Sequence, residues 1–168
     1  EKCVERFLGM WAFAIWDNEK RELFCSRDRF GIKPFFYIQI DDGFYFASEI
    51  KALKKVKGFE GKLDEDMVNM YLHMGWNTFG EKTCYEKVFQ VEQATNLIVR
   101  SGQIIERERY WDLDVNKKME GISDADAIKG FKDLFEDSIR LHMRSDVPVG
   151  ALLSGGIDSS SIVSTVAS

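Results

Sequence analysis

The sequence holds no run of about 18 apolar residues, so nothing in it reads as a helix crossing a membrane. Basic excess is also missing: Lys and Arg total 23 against 28 Asp and Glu, a net charge of −5. That weighs against nucleic acid as a partner, because its binders carry at least one strongly basic face. Cysteine is scarce, with Cys3, Cys25 and Cys84 only. An odd number at spacings that match no zinc or CxxC pattern argues against a secreted disulfide scaffold. Reduced thiols in a cytoplasmic protein fit better. The two histidines, His73 and His142, lie in helical patterns with no second ligand nearby, which removes a histidine-based metal site. There is no Asn-x-Ser/Thr acceptor, no internal repeat and no low-complexity segment.

What is there describes a globular chain. Apolar residues make up 45% and charged residues 30% of 168 residues. Such a composition can bury a core and excludes intrinsic disorder. The length suggests one domain or two small ones. The chain begins at Glu1 rather than Met and reaches Ser168 inside a helical pattern, so it reads as a piece of a longer protein.

The first part reads as strands. Met10–Asp17 is almost continuously apolar, the pattern of a strand buried on both faces. Arg21–Arg27 alternates and predicts the returning arm of a hairpin. Arg27–Pro34 (RDRFGIKP) predicts a structured loop. Phe35–Ile40 and Phe44–Ala47 flank the turn signal Asp41-Asp42-Gly43. Ser48–Leu53 predicts a short capped helix. The basic cluster of Lys51, Lys54, Lys55, Lys57 and Lys62 lacks aromatic interleaving and reads as a solvated connector.

Leu63–Gly75 has a helical period, with Met67, Met70, Tyr71 and Met74 on one core-facing side, Asp64 as N-cap and Gly75 as the stop. Ala94–Arg100 and Gln103–Tyr110 predict two strands around Ser101-Gly102. A polar linker follows Trp111. Ser123–Arg144 predicts a long amphipathic helix with Ile128, Phe131, Phe135, Ile139 and Met143 on one face. Ser123 and Asp126 supply its capping box. Val147–Leu153 reads as a short buried strand, with a helix from about Ile157 onward.

The chemistry lies between those last two elements. Ser154-Gly155-Gly156-Ile157-Asp158-Ser159-Ser160 follows the apolar run directly, giving the order strand, glycine turn, helix N-terminus. Glycines let backbone approach an anion closely. The unpaired amides and the dipole of the first helical turn favour negative charge there. The hydroxyls of Ser154, Ser159 and Ser160 can donate as well. It is not a Walker A loop, because no lysine follows the glycines. An acid beside a phosphate repels it unless a cation intervenes, so Asp158 is a candidate Mg²⁺ ligand. The plainer reading is a Gly-Gly turn with Asp158 as N-cap.

SGGIDSS after an apolar strand resembles the PP-loop of the N-type ATP pyrophosphatases. The preceding SDVPVG, residues 145–150, narrows the resemblance to the asparagine synthetase family. GMWAFAIWD (residues 9–17), RDRFGIKP (27–34), ASEIKAL (47–53) and Arg109-Tyr110-Trp111 are similar to the latter half of that family's glutaminase domain. The resemblance covers essentially the whole chain. RDRFGIKP is shared with other amidotransferases of the N-terminal-nucleophile class; its combination with a PP-loop is specific.

The resemblance implies a two-domain enzyme. Glutamine is hydrolysed by an N-terminal cysteine in an αββα domain, and ammonia passes through a tunnel to a synthetase domain. There ATP activates the β-carboxyl of aspartate as β-aspartyl-AMP, releasing pyrophosphate, and ammonia yields asparagine and AMP. Carried over residue by residue, Leu153, Ser154, Gly155, Gly156, Asp158, Ser159 and Ser160 match the family's ATP- and pyrophosphate-holding segment, with Asp158 toward Mg²⁺. Met10 and Ile32 match positions beside the ammonia tunnel, and plain core is an equal reading of both. Arg27, Asp28 and Glu49 are expected to make structural hydrogen bonds and salt bridges. No catalytic residue is expected in this chain: the nucleophile lies upstream, and Cys3 is not it.

The implied fold is α/β, with an α+β first part. Residues 1–111 are expected to be the end of the class II glutamine amidotransferase sandwich and 112–122 a linker. Residues 123–168 would begin a parallel-sheet ATP pyrophosphatase domain. A single strand of a parallel sheet cannot cover both faces, so exposed apolar patches and aggregation of the isolated chain are expected, along with no activity of its own. The implied ligands are glutamine, aspartate, ATP and Mg²⁺, in the cytoplasm, with no nucleic acid or membrane partner. Two rivals stand beside this: a relative amidating another carboxylate, and a non-catalytic relic. One departure favours a divergent subfamily, since Val91-Glu92-Gln93-Ala94-Thr95 stands where the family commonly has a Pro-Pro-Gly-like turn.

Overall fold

The computed structural model describes residues 2–167; Glu1 and Ser168 lie outside the described residues. The chain divides into two units, 1–113 and 114–168. No described helix is long and apolar enough to cross a membrane.

The first unit opens with a 3-10 turn over Lys2–Arg6 and then builds two antiparallel sheets. Sheet A joins β1 (Ala12–Asp17), β2 (Glu22–Arg27), β8 (Thr95–Arg100) and β9 (Gln103–Arg109) in that order. Sheet B has the order β4-β3-β7-β6-β5. Its strands are β3 (Phe36–Ile40), β4 (Gly43–Ala47), β5 (Thr78–Phe79), β6 (Lys82–Thr83) and β7 (Val88–Gln90). The sheets pack face to face. Ala12, Ala14, Leu23, Cys25, Leu97 and Ile104 of sheet A meet Phe35, Tyr37, Phe44, Phe89 and Val91. The far side of sheet B, through Ile38 and Val88, is covered by Ile50 and Leu53 of α1 (Ile50–Leu53) with Phe59 and Tyr85.

The β1 run is apolar for a different reason from the one expected. It is the edge strand of sheet A and pairs only with β2. Trp16 is exposed and Ile15 is 56% exposed, so the run is not buried on both faces. Helix α1 has Glu49 at its N-cap with no side-chain cap bond. Helix α2 (Glu65–Met74) is capped as expected: the Asp64 carboxylate accepts from the Met67 amide, and Gly75 closes it in the left-handed region. Of its predicted core face only Met67 is buried; Tyr71 and Met74 are exposed.

Strand β9 carries a bulge. Ile98 pairs with Glu106 while Val99 pairs with Ile104, which leaves Ile105 as the extra residue. Side chains alternate along a strand, and one inserted residue reverses that alternation. Ile104 therefore faces the core, and so does Arg107, whose guanidinium donates to the Tyr37 hydroxyl at 2.9 Å. Glu106 and Glu108 face outward.

The second unit holds two helices, α3 (Asp124–His142) and α4 (Ile157–Ala167). The Ser123 hydroxyl accepts from the Asp126 amide at 3.2 Å, as the capping box predicts. Phe131 stacks on Phe135 at 5.8 Å, yet α3 buries no residue. Residues 147–153 form no strand, and Leu152 is 96% exposed. An extended segment becomes a strand only when another supplies its ladder bonds, and none of the described residues does. The described fold is thus α+β with two antiparallel sheets and no parallel pair.

Candidate functional site

The predicted nucleotide loop lies wholly in the second unit and is exposed, with Ser159 half-buried. Gly155 takes φ +81°, a conformation that side chains strain to adopt, and a Cβ there would meet open space. The first backbone bond of α4 runs from the Ser160 amide to the Gly156 carbonyl at 3.1 Å. The amides of Ile157, Asp158 and Ser159 precede that ladder and are the orphan donors of a helix start.

Ser159 fastens the loop. Its hydroxyl donates to the Gly156 carbonyl at 3.1 Å, accepts from the Ser154 amide at 3.3 Å and lies 2.9 Å from the Ser154 hydroxyl. Asp158 sits exposed in the first turn of α4, and its carboxylate makes no hydrogen bond or ion pair among the described residues. Free amides, two paired hydroxyls and a free carboxylate within one turn form a donor set that fits an anion bridged by a hard cation. Leu153 enters the loop 62% exposed.

Met10 and Ile32 are in the first unit, at 42% and 53% exposure, so neither is plain core. What places them is the loop from Arg27 to Pro34. Asp28, almost fully buried, accepts through Oδ1 from the Phe30 and Ile32 amides at 3.1 and 3.0 Å. Its Oδ2 accepts from the Lys33 amide at 2.9 Å and the Trp11 amide at 3.3 Å. Arg27 does the converse. Its guanidinium donates to the carbonyls of Lys33, Gly31 and Val91 at 2.7, 2.7 and 2.5 Å and to the Gln90 side chain at 3.0 Å.

Burial holds the Arg27 guanidinium below its ordinary pKa, with the neighbouring Asp28 carboxylate opposing that shift. The Tyr110 hydroxyl donates to the Arg27 carbonyl at 2.8 Å, and burial pushes that phenol up to about 12. Structural hydrogen bonding was the expectation for Arg27 and Asp28, and it is what the geometry shows. Glu49, for which a structural hydrogen bond or salt bridge was likewise expected, makes an exposed ion pair with Lys51 at 2.6 Å. Nothing in the sequence pattern singled out Tyr110 as the third member of this network, because its partner is a backbone carbonyl.

The departure at 91–95 also has a structural account. Ala94 takes φ +54° and is fully buried; its amide donates to the Asp28 carbonyl at 2.9 Å. Ala94 thus takes a left-handed conformation at this turn without being glycine.

The described fold is thus a pair of packed antiparallel sheets, with a glycine-serine helix start in the second unit. The family model described as glutamine amidotransferase domain matches residues 1–111, and the one described as asparagine synthase matches residues 130–168. A Methanocaldococcus jannaschii protein provisionally named asparagine synthetase [glutamine-hydrolyzing] 2 is 40% identical over 164 residues, 96% of this chain and 31% of the relative. Bacillus subtilis asparagine synthetase [glutamine-hydrolyzing] 1 is 37% identical over 98% of this chain and 25% of its own length. The chain belongs to the glutamine-hydrolysing asparagine synthetase family. It spans between a quarter and a third of the length of these curated relatives.

Proposed function

We propose that these residues belong to an ATP-dependent, glutamine-hydrolysing asparagine synthetase. It would convert aspartate, ATP and glutamine to asparagine, AMP, pyrophosphate and glutamate through β-aspartyl-AMP. Residues 1–111 would close the glutaminase domain, 112–122 link, and 123–168 open the ATP-binding domain, with 147–153 as a strand of its parallel sheet. Leu153, Ser154, Gly155, Gly156, Asp158, Ser159 and Ser160 would hold ATP and the departing pyrophosphate, and Asp158 would ligate Mg²⁺. Met10 and Ile32 would flank the path of ammonia.

One observation carries the reading: the orphan amides of α4 stand beside a positive-φ glycine, two hydroxyls and the unpartnered Asp158 carboxylate. Carboxylate is a poor acyl donor because its oxygen leaves badly. AMP is a far better leaving group, and donors aimed at the departing phosphates stabilise the charge that develops. Mg²⁺, when bound, would neutralise phosphate oxygens there.

A second acceptor class has its own support. A Gibberella zeae relative named Amidase chry2 is 31% identical over 97% of this chain. The test is ATP–Mg²⁺ binding by the full-length protein and its Asp158→Ala variant, followed by product analysis with aspartate. Binding lost in the variant, with asparagine formed, supports the proposal. Binding that survives Asp158→Ala refutes the loop assignment, and ATP turnover without asparagine shifts the acceptor to another carboxylate.

A further inference from the structure

The outer face of sheet A holds an anomaly that the proposed reaction does not use. Asn96 on β8 is only 4% exposed, and its Oδ1 is buried without a hydrogen-bond partner, the one such side-chain atom among the described residues. Its Nδ2 donates to Glu108 Oε2 at 3.2 Å, which fixes the amide orientation, since exchanging N and O would set two acceptors against each other. Buried polar atoms are normally satisfied, and an orphan points to a missing water or ion.

The surroundings favour an ion. Asn96 lies opposite Glu108 and Ile98 opposite Glu106 in the ladder. The bulge at Ile105 brings both carboxylates onto the face of Asn96 and sends Arg107 to the other side. Arg107 is spent there on Tyr37 and Glu81, while Arg109 pairs with Asp112 at 3.0 Å. Neither Glu106 nor Glu108 has a basic partner among the described residues. Phe24, Asn96, Ile98, Glu106 and Glu108 line a pocket of about 20 Å³, room for one water-sized occupant.

We infer that Asn96 Oδ1 and the carboxylates of Glu106 and Glu108 form a divalent-cation site of the calcium class. Every donor is a hard oxygen, with no nitrogen or sulfur ligand to favour zinc. The two carboxylates match a double charge. Ca²⁺ suits irregular oxygen sets completed by water, whereas Mg²⁺ demands near-octahedral geometry. Three protein donors at the surface imply weak binding, with Kd about 10⁻⁴–10⁻³ M.

The test is the melting temperature of the full-length protein at micromolar concentration, with free Ca²⁺ varied at constant ionic strength so that screening is held fixed. Ligand that binds only the folded state raises Tm with each further step in concentration above Kd. That rise is expected for the parent chain and for Asp158→Ala, and is lost in the Glu106→Gln/Glu108→Gln double variant. Asn96→Asp adds a carboxylate; it is expected to lower Tm without Ca²⁺ and to steepen the response to it. A Tm that ignores Ca²⁺, or a rise that survives in the double variant, overturns the site. A rise lost in Asp158→Ala would place the ion at the nucleotide loop and overturn it equally. A response to Mg²⁺ as large as that to Ca²⁺ overturns the calcium assignment.

Discussion

Replacing Asp28 by Asn removes a charge and changes no shape, so its cost isolates what that carboxylate holds. Both oxygens accept two backbone amides each: Phe30 and Ile32 on Oδ1, Lys33 and Trp11 on Oδ2. An amide side chain can offer its oxygen to one pair only, and its NH₂ then confronts the other pair donor to donor. Two amides lose their acceptor. An unsatisfied buried group costs about 1–3 kcal/mol, more when its partner was charged. Phe30 and Ile32 are exposed as residues, which lets water recover part of that loss.

The expected destabilisation is therefore about 2–4 kcal/mol, a large share of the 5–15 kcal/mol typical of a domain. With a urea m-value of about 2 kcal/mol/M, the unfolding midpoint should fall by about 1–2 M. Tryptophan fluorescence at micromolar protein is the assay, since Trp11 is tied to the same loop. Asp66→Asn, at an exposed helix position, serves as control. A midpoint within about 0.3 M of the parent would refute the reasoning, because it would put the loss below the cost of even one orphaned amide.

Gly102 takes φ +77°, and a Cβ there would lie 1.9 Å from the Asp42 carbonyl oxygen. Gly102→Ala should therefore cost about 1–2 kcal/mol in backbone strain and about 1–3 kcal/mol in overpacking, read by the same urea assay. Ala94→Gly relieves a left-handed alanine at φ +54° but deletes a buried methyl. The two terms, each about 1 kcal/mol, should cancel and leave the midpoint near the parent value. Burial pushes the Cys25 thiol up to about 12 from an ordinary 9.0. The folded state thus keeps a proton that the unfolded state releases, so stability present below pH 9 should decline as pH rises toward 12. In the folded chain at pH 8, a thiol reagent should label exposed Cys3 and spare Cys25 until urea is added.

Much of the fold was legible because local rules agreed with tertiary ones. The Asp64 cap, the Gly75 stop, the Ser101-Gly102 turn and the Ser123 cap are each decided within a few residues, and the structure has them all. Burial was less legible. The largely apolar runs at Met10–Asp17 and Val147–Leu153 read as a strand covered on both faces and as a short buried strand. The first is a sheet edge and the second pairs with nothing described, because apolar content records what a segment tends to bury and not what lies beside it. The strands β5, β6 and β7 escaped notice because two or three residues carry no period.

The nucleotide loop was legible as a contiguous motif of glycines, serines and one acid. The grouping of Asn96 with Glu106 and Glu108 was not. It depends on a bulge that reverses the alternation of β9, which no pattern of single residues reveals.

The segment from Asp28 to Pro34 has no regular secondary structure, yet two adjacent side chains engage its backbone in opposite senses. Asp28 takes the amides and Arg27 takes the carbonyls. A segment so held should breathe with its sheet and not as a surface loop. Its Phe30, Ile32 and Lys33 amides should exchange hydrogen for deuterium on the timescale of β2, closing and opening as one cooperative unit. The exposed Phe30 and Ile32 side chains would then be presented to any neighbour on a rigid mount, with little conformational entropy left to lose on contact.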